Sequence, residues 1–269
     1  MTYRVGIAGL GAIGMKVAMA LDAGRIAGMT VSAVSASDLE RAARRVAGFS
    51  TPPRAVQVTE LADHADIVIE GAPKAVFADL ARSVIEAGRI FMPLSVGALL
   101  DHPDLIDRSR ATGARIIVPT GAIIGLDAIR AMAVGEINSV TLETRKPPNG
   151  LEGAPFLVEN GIDLTGLQRP KRVFQGNARA AAKGFPANVN VAAALSLAGI
   201  GPDRTIVEVW ADPTIDRNMQ SVRVVSESAD AEMSIRNVPS QENPRTGKIT
   251  ALSVIACLDR MTAPMVIGT

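Results

Sequence analysis

The chain has 269 residues and a nearly balanced charge, 28 basic side chains against 27 acidic, enough for one large domain or two modest ones. That balance gives no reason to expect nucleic acid or an acidic membrane surface as a partner, and aromatics at 3% leave few faces for base stacking. The single cysteine, Cys257, excludes an internal disulfide and a multi-cysteine metal site, and its apolar run marks it as a buried, inert thiol.

Arg4–Ala8 is a short apolar run that predicts a strand rather than a secretory leader, so the cytoplasm is the expected compartment. It leads into Gly9-Leu10-Gly11-Ala12-Ile13-Gly14 and then Met15–Ala23, whose apolar positions Val17, Ala18, Ala20 and Leu21 have helical spacing. A G-x-G-x-x-G between a strand and a helix is a dinucleotide-binding signature with a physical cause. Gly9 allows the tight turn, Gly11 lets a diphosphate approach the backbone, and Gly14 lets the helix lie close on the strand. The helix entrance supplies unpaired N–H groups and a positive dipole, so Ala12 and Ile13 join the three glycines as cofactor-binding candidates.

Further strands are expected at Met29–Ser35, Val56–Val58, Ile67–Glu70, Arg89–Met92 and Arg115–Val118. They alternate with helices beginning after Ser37, over Pro73–Ala87 and over Pro103–Ala111. Such alternation predicts a parallel, doubly wound α/β sheet. Ser37 and Glu40 have capping-box spacing. Where NAD sites commonly carry an acid, about 20 residues past the glycines, this chain has Ser35, Ala36 and Ser37, with Arg41 one turn on. Two hydroxyls and a guanidinium suit a 2′-phosphate, while Asp38 argues the other way, so NAD or NADP is expected. Ala72, in the turn after Ile67–Glu70, is a further cofactor candidate. Ser95 and Thr120 follow strand ends, where open α/β sheets bind ligands, and are substrate-side candidates.

From Gly121 the texture changes. Leu126–Val134 predicts a linking helix, and Val140–Thr144, Ile206–Trp210, Ser221–Val225 and Glu232–Ile235 alternate as half-buried strands do. Ala178–Gly184 and Val189–Leu197 predict helices, and Ile249–Asp259 a last helix that packs back on the first domain. The expectation is residues 1–120 as a dinucleotide-binding domain completed by 241–269, and 121–240 as a smaller α+β domain. Its open sheet face needs cover, most simply a second subunit, making a homodimer. Pro147–Pro170, rich in Pro and Gly, predicts a lid or a dimer arm.

A series of local motifs resembles the L-aspartate dehydrogenase family. They are Ser95-Val96-Gly97-Ala98-Leu99, Pro119-Thr120-Gly121-Ala122-Ile123 with Gly125-Leu126-Asp127, and Thr144-Arg145-Lys146-Pro147-Pro148. Phe185-Pro186-Ala187-Asn188-Val189-Asn190-Val191, Ala211-Asp212-Pro213 with Arg217-Asn218, and Glu242-Asn243-Pro244 follow in order. The resemblance implies a Rossmann domain with a catalytic and dimerisation domain. It also implies conversion of L-aspartate to iminosuccinate, and so to oxaloacetate and ammonia, with NAD or NADP. Ala122 and Asn188 become nicotinamide-side positions and Asn218 a substrate-side one.

One position departs. The family places a catalytic histidine two residues after the Arg-Asn pair, and here that place is Gln220. A carboxamide hydrogen-bonds but does not titrate near neutral pH. Losing a positioned acid–base group costs about 10² to 10⁴ in rate. The chain therefore reduces a preformed imine, works as a slow aspartate dehydrogenase, or binds the cofactor without turnover as a sensor or scaffold. A dihydrodipicolinate-reductase-like enzyme is a rival, although Gly71-Ala72-Pro73-Lys74 lacks the Glu-Lys-Pro of the related sugar dehydrogenases. Lys146, if desolvated, is the candidate proton donor, and Arg145 or Lys146 the partner for a substrate carboxylate. His64 reads as an exposed residue and His102 as a helix-entry residue. With only these two histidines no zinc site is expected.

Overall fold

The computed structural model describes residues 2–186, 189–240 and 246–268. The chain divides into two compact units, Met1–Gly121 with Thr250–Val266, and Ala122–Ile249 with Ile267–Thr269.

The first unit runs β1 (Tyr3–Ala8), α1 (Ala12–Asp22), β2 (Met29–Ser35), α2 (Leu39–Val46), β3 (Arg54–Ala55), α3 (Leu61–His64) and β4 (Ile67–Glu70). It continues through α4 (Phe77–Glu86), β5 (Ile90–Pro93), α5 (Val96–Leu99), α6 (Asp104–Thr112) and β6 (Arg115–Ile116). All strand pairs are parallel, in the order β3-β2-β1-β4-β5-β6. The order reverses between β1 and β4, so the switch point lies where Ala8 and Glu70 stand opposite each other. Strands covered on both faces read as unbroken apolar runs. Ile67, Val68 and Ile69 are wholly buried, and Val5, Ile7, Val17, Leu21, Val31 and Met92 belong to the same core as Val254 and Leu258 from the C-terminal helix. Each such side chain contributes about 1.5–3 kcal/mol by leaving water.

Two local expectations are corrected. Asp38, not Ser37, caps α2, its carboxylate accepting from the Arg41 N–H at 2.8 Å. A β-region Asp one residue closer to the helix outcompetes the serine. The capping box sits instead at Gln57 and Glu60. The third strand is Arg54–Ala55 rather than 56–58, because Val58–Glu60 turns into a 3₁₀ helix.

The second unit holds α7 (Leu126–Met132), β7 (Ile137–Lys146), α8 (Pro155–Glu159), β8 (Lys171–Asn177), α9 (Ala178–Gly184) and α10 (Val189–Ala198). β9 (Ile206–Ala211), β10 (Met219–Ser226) and β11 (Asp230–Arg236) complete its sheet, and α11 (Lys248–Thr262) returns the chain to the first unit from Thr250 on. The strand order is β11-β10-β7-β9-β8, with only β7 and β9 parallel. Alternation sends Val140, Leu142, Thr144 and Lys146 of β7 to the buried side, with Val207 and Val209 of β9 and Gln220, Val222 and Val224 of β10. Helix α10 lies on β7 through small residues, Ala192, Ala193 and Ala194 being buried.

Strand β8 was not evident from the sequence. Lys171, Arg172, Gln175 and Asn177 dilute its apolar signal, and it is an edge strand that buries only Val173 and Phe174. The segment before it is more structured than a Pro/Gly-rich loop suggests. It contains α8, whose Phe156 meets Phe174 edge-to-face and Phe185 at a tilt, at centroid distances of 5.1 and 5.6 Å.

Candidate active site

In the first unit the glycine-rich turn follows from close packing. Gly9 has φ +92, and a Cβ on it would meet the Gly71 carbonyl oxygen at 2.3 Å; one on Gly14 would meet the Gly9 carbonyl oxygen at 2.0 Å. Gly11 differs: nothing lies within 4 Å of its Cβ position. It is the N-cap of α1 and makes no side-chain cap hydrogen bond, so side-chain capping leaves the first amides of the helix unused next to that clear space. A diphosphate fits that cradle, held by backbone donors and the helix dipole. Gly9 N–H donates to the Ser35 carbonyl at 2.8 Å, which brings the end of β2 beside the turn.

At that end Ser35 is buried and Ser37 exposed. The Asp38 carboxylate is occupied in capping α2. Arg41, in the first turn of α2, and Arg45, in its last, are both exposed, and the Arg45 guanidinium reaches the Leu10 carbonyl within the glycine-rich turn.

The switch point carries an acid that the sequence reading missed. Glu70 is 0% exposed. Its carboxylate accepts from Ser95 N–H at 2.9 Å, Ser95 Oγ at 3.0 Å and Ala72 N–H at 3.1 Å. Burial pushes its carboxyl above the ordinary carboxylate range, against the opposing effect of those bonds. A single acid ending an Ile-Val-Ile run was the available signal. Ser95 and Ala72 are thus bound to each other through Glu70, whereas Thr120 is exposed, one residue before Gly121, whose N–H donates to Ser253 Oγ at 3.0 Å.

In the second unit Thr144, Lys146 and Gln220 share the buried face of the sheet, at 1%, 6% and 5% exposure. Thr144 and Gln220 are paired across β7 and β10, and the Thr144 hydroxyl donates to Gln220 Oε1 at 2.6 Å. A Cβ on Gly150 would lie 3.6 Å from Lys146 Cβ and 4.0 Å from Asn218 Oδ1, so the turn after β7 brings those two side chains to one spot.

Arg145, next along β7, faces the other way. Its guanidinium donates to Glu143 at 2.7 and 3.2 Å and to Asp212 at 3.3 Å, with its centre 4.6 Å above the Trp210 ring. The half of the second unit's cluster that faces the buried side therefore contains Lys146 and not Arg145. Ala122 is fixed from β11's end, where Asn237 Nδ2 donates to its carbonyl at 3.1 Å. Asn188, and the Glu242-Asn243-Pro244 motif, lie outside the described residues.

The remaining candidates have structural surroundings. His64 is half-buried rather than exposed, ending α3 with its carbonyl accepting from Ser32 Oγ at 2.8 Å. His102 is half-buried and stacks on Phe77. Cys257 is half-buried against the first unit's core, and burial raises its thiol. Among the described residues no three His, Cys, Asp or Glu gather for a metal, and no helix is long and apolar enough to cross a membrane.

A parallel sheet whose switch point carries a glycine cradle, in a chain with a second α+β unit, defines a dinucleotide-binding protein of two units. Residues 9–119 match the homoserine dehydrogenase NAD-binding domain family, and residues 127–261 match the aspartate dehydrogenase C-terminal family. The L-aspartate dehydrogenase of Bradyrhizobium diazoefficiens is 52% identical over 99% of this chain and 94% of its own length. L-aspartate dehydrogenase 3 of Bordetella bronchiseptica is 51% identical over 98% and 97%. In fold, the crystal structure of aspartate dehydrogenase from Thermotoga maritima covers 100% of both chains at a TM-score of 0.72 and 21% identity. The chain belongs to the L-aspartate dehydrogenase family, and is an oxidoreductase.

Proposed function

We propose that the protein catalyses the NAD(P)-linked interconversion of L-aspartate with iminosuccinate, and so with oxaloacetate and ammonia, in the cytoplasm. The observation that carries this reading is the 52% identity to an L-aspartate dehydrogenase along 99% of the chain. Bound nicotinamide supplies or takes the hydride. The chain's own part is to hold the diphosphate on Gly9, Gly11, Ala12, Ile13 and Gly14, with Ala72 a further cofactor contact; the family resemblance assigns Ala122 and Asn188 to the nicotinamide. With Asp38 occupied as a cap and Arg41 exposed nearby, NADP is accepted alongside NAD, contacting Ser35 and Ser37.

Substrate carboxylates meet cation and amide donors, which assigns Lys146 and Asn218 of the second unit to the dicarboxylate. Arg145 is engaged by Glu143 and Asp212, and Ser95 by Glu70, so neither is the primary carboxylate ligand. Lys146 also serves as the proton donor. Gln220 orients substrate by hydrogen bonds alone. That residue favours one refinement of the reading: a preformed imine is reduced faster than oxaloacetate plus ammonia, because the slow step removed is the one needing a base. The open face of the second sheet, with Glu143, Glu208 and Arg223 along it, is covered by a second copy in a homodimer.

The test is NAD(P)H absorbance with oxaloacetate plus ammonia, set against a panel of preformed imines and keto acids. Turnover with the dicarboxylates, faster from the imine, is the expected result. Flat traces throughout, with cofactor bound in calorimetry, overturn it in favour of a dinucleotide-binding sensor.

A further inference from the structure

We infer that Glu70 is a positioning residue that sets the cofactor crevice by clamping together the two turns that follow β4 and β5. The inference rests on dinucleotide binding at the switch point, as in the reading above.

A wholly buried carboxylate is costly unless every lone pair finds a donor. Ile67, Val68 and Ile69 precede it in the same strand, and an apolar residue at position 70 would continue that core without penalty. The acid instead accepts from neutral donors on both sides: Ala72 N–H in its own turn, and Ser95 N–H and Oγ in the neighbouring one. Backbone pairing alone holds these turns poorly. The β4–β5 ladder ends where Leu94 N–H donates to the Glu70 carbonyl at 2.8 Å, and no backbone bond between Gly71 or Ala72 and Ser95 extends it. The side chain supplies what the ladder lacks.

The clamp reaches the glycine turn directly. The carbonyl of Gly71, between Glu70 and Ala72, occupies the place a Cβ on Gly9 would take, at 2.3 Å. Fixing Ala72 and Ser95 therefore fixes one wall of the crevice that opens at the carboxyl ends of β1 and β4, where a dinucleotide binds. Two oxygens receiving three donors also explain why the residue is an acid. An amide has one acceptor oxygen, and its NH2 would face an N–H. Aspartate, one methylene shorter, does not span both turns.

The experiment measures NAD(P)H affinity by fluorescence titration on wild type, Glu70→Gln and Ser95→Ala, with circular dichroism to establish folding and steady-state kinetics alongside. Glu70→Gln is expected to weaken cofactor binding at least tenfold and to raise the cofactor KM in step. The kcat at saturating cofactor and the KM for the second substrate should change less than twofold. A merely structural role would lower the fraction of active molecules, and so kcat, with KM for cofactor unmoved. A folded Glu70→Gln with affinity within twofold of wild type overturns the inference. Should that variant not fold, Ser95→Ala, which removes one of the three bonds, decides: a threefold or larger loss supports the clamp and an unchanged affinity overturns it. Wild type without measurable cofactor affinity would instead defeat the parent reading.

Discussion

The Thr144 hydroxyl donates to the Gln220 carboxamide oxygen across a directly registered pair of strands, 76 residues apart in the chain. With both side chains buried, the bond commits the amide oxygen and leaves the NH2 group as the donor that Gln220 offers elsewhere. A donor at this place can hold a substrate oxygen. It cannot take a proton from water or ammonia, as a base in its place would.

Gln220→His is expected to raise turnover with oxaloacetate plus ammonia at least tenfold, within the range of about 10² to 10⁴ that positioned acid–base catalysis supplies. The rate should also acquire a pH dependence centred near the ordinary histidine value of about 6.5. Initial rates from pH 5 to 9 check both. No gain would show that the surrounding pocket has diverged as well. In the unsubstituted protein, Thr144→Val strands the amide oxygen and should raise the substrate KM severalfold, whereas Thr144→Ser should preserve it.

Gly11 and Gly14 separate binding from packing. Gly11→Ala puts its methyl into open space, so thermal stability should stay within about 0.5 kcal/mol of the parent while NAD(P)H affinity falls at least tenfold. Gly14→Ala drives a Cβ to 2.0 Å from the Gly9 carbonyl oxygen and should lower both stability and affinity. Melting curves with and without coenzyme distinguish the two.

Cofactor choice turns on α2. Arg41→Ala is expected to weaken NADPH binding roughly fivefold, on the order of 1 kcal/mol for an exposed charge on a phosphate, with NADH affinity unchanged. Equal losses for both coenzymes in parallel titrations would remove Arg41 from the 2′-phosphate.

Asp212 sets an acid limit on stability. Burial works to raise its carboxyl, but hydrogen bonds from Thr214 and Arg145 outweigh this and hold it below its ordinary value of 3.8. A folded value below the unfolded one gives stability that is present above the ordinary carboxylate range and lost as pH falls through the folded value. Asp212→Asn should therefore cost about 1.5–3 kcal/mol at neutral pH, and the gap to wild type should narrow below pH 4. Urea unfolding midpoints at pH 7 and pH 3 measure it; a gap of constant size would show the carboxylate's charge to be irrelevant.

The parallel sheet, the cradle at Gly9-Leu10-Gly11-Ala12-Ile13-Gly14 and the alternation of β7, β9 and β10 were legible in the sequence, because each rests on spacing within a few residues. Cap and edge details were not. Asp38 displaced Ser37 through local geometry that composition does not encode, and β8 hid behind Lys171 and Arg172, since an edge strand buries too little to leave a period. Among site residues, Lys146 and Gln220 fell on the buried face and came together with Asn218 or Thr144, while Arg145, adjacent in sequence, was turned to the opposite face by the two-residue period of the strand.

By itself the sequence determined what local rules can carry: the strand–turn–helix with its glycine cradle, the family, and an amide at Gln220 where the family pattern has a titratable ring. Only the tertiary structure decided which polar groups meet. Glu70 finds Ser95 from 25 residues away, and Thr144 finds Gln220 from 76. Partner choice for a buried polar group depends on which donors the folded chain delivers to within about 3 Å, and strand order, not residue type, makes that delivery.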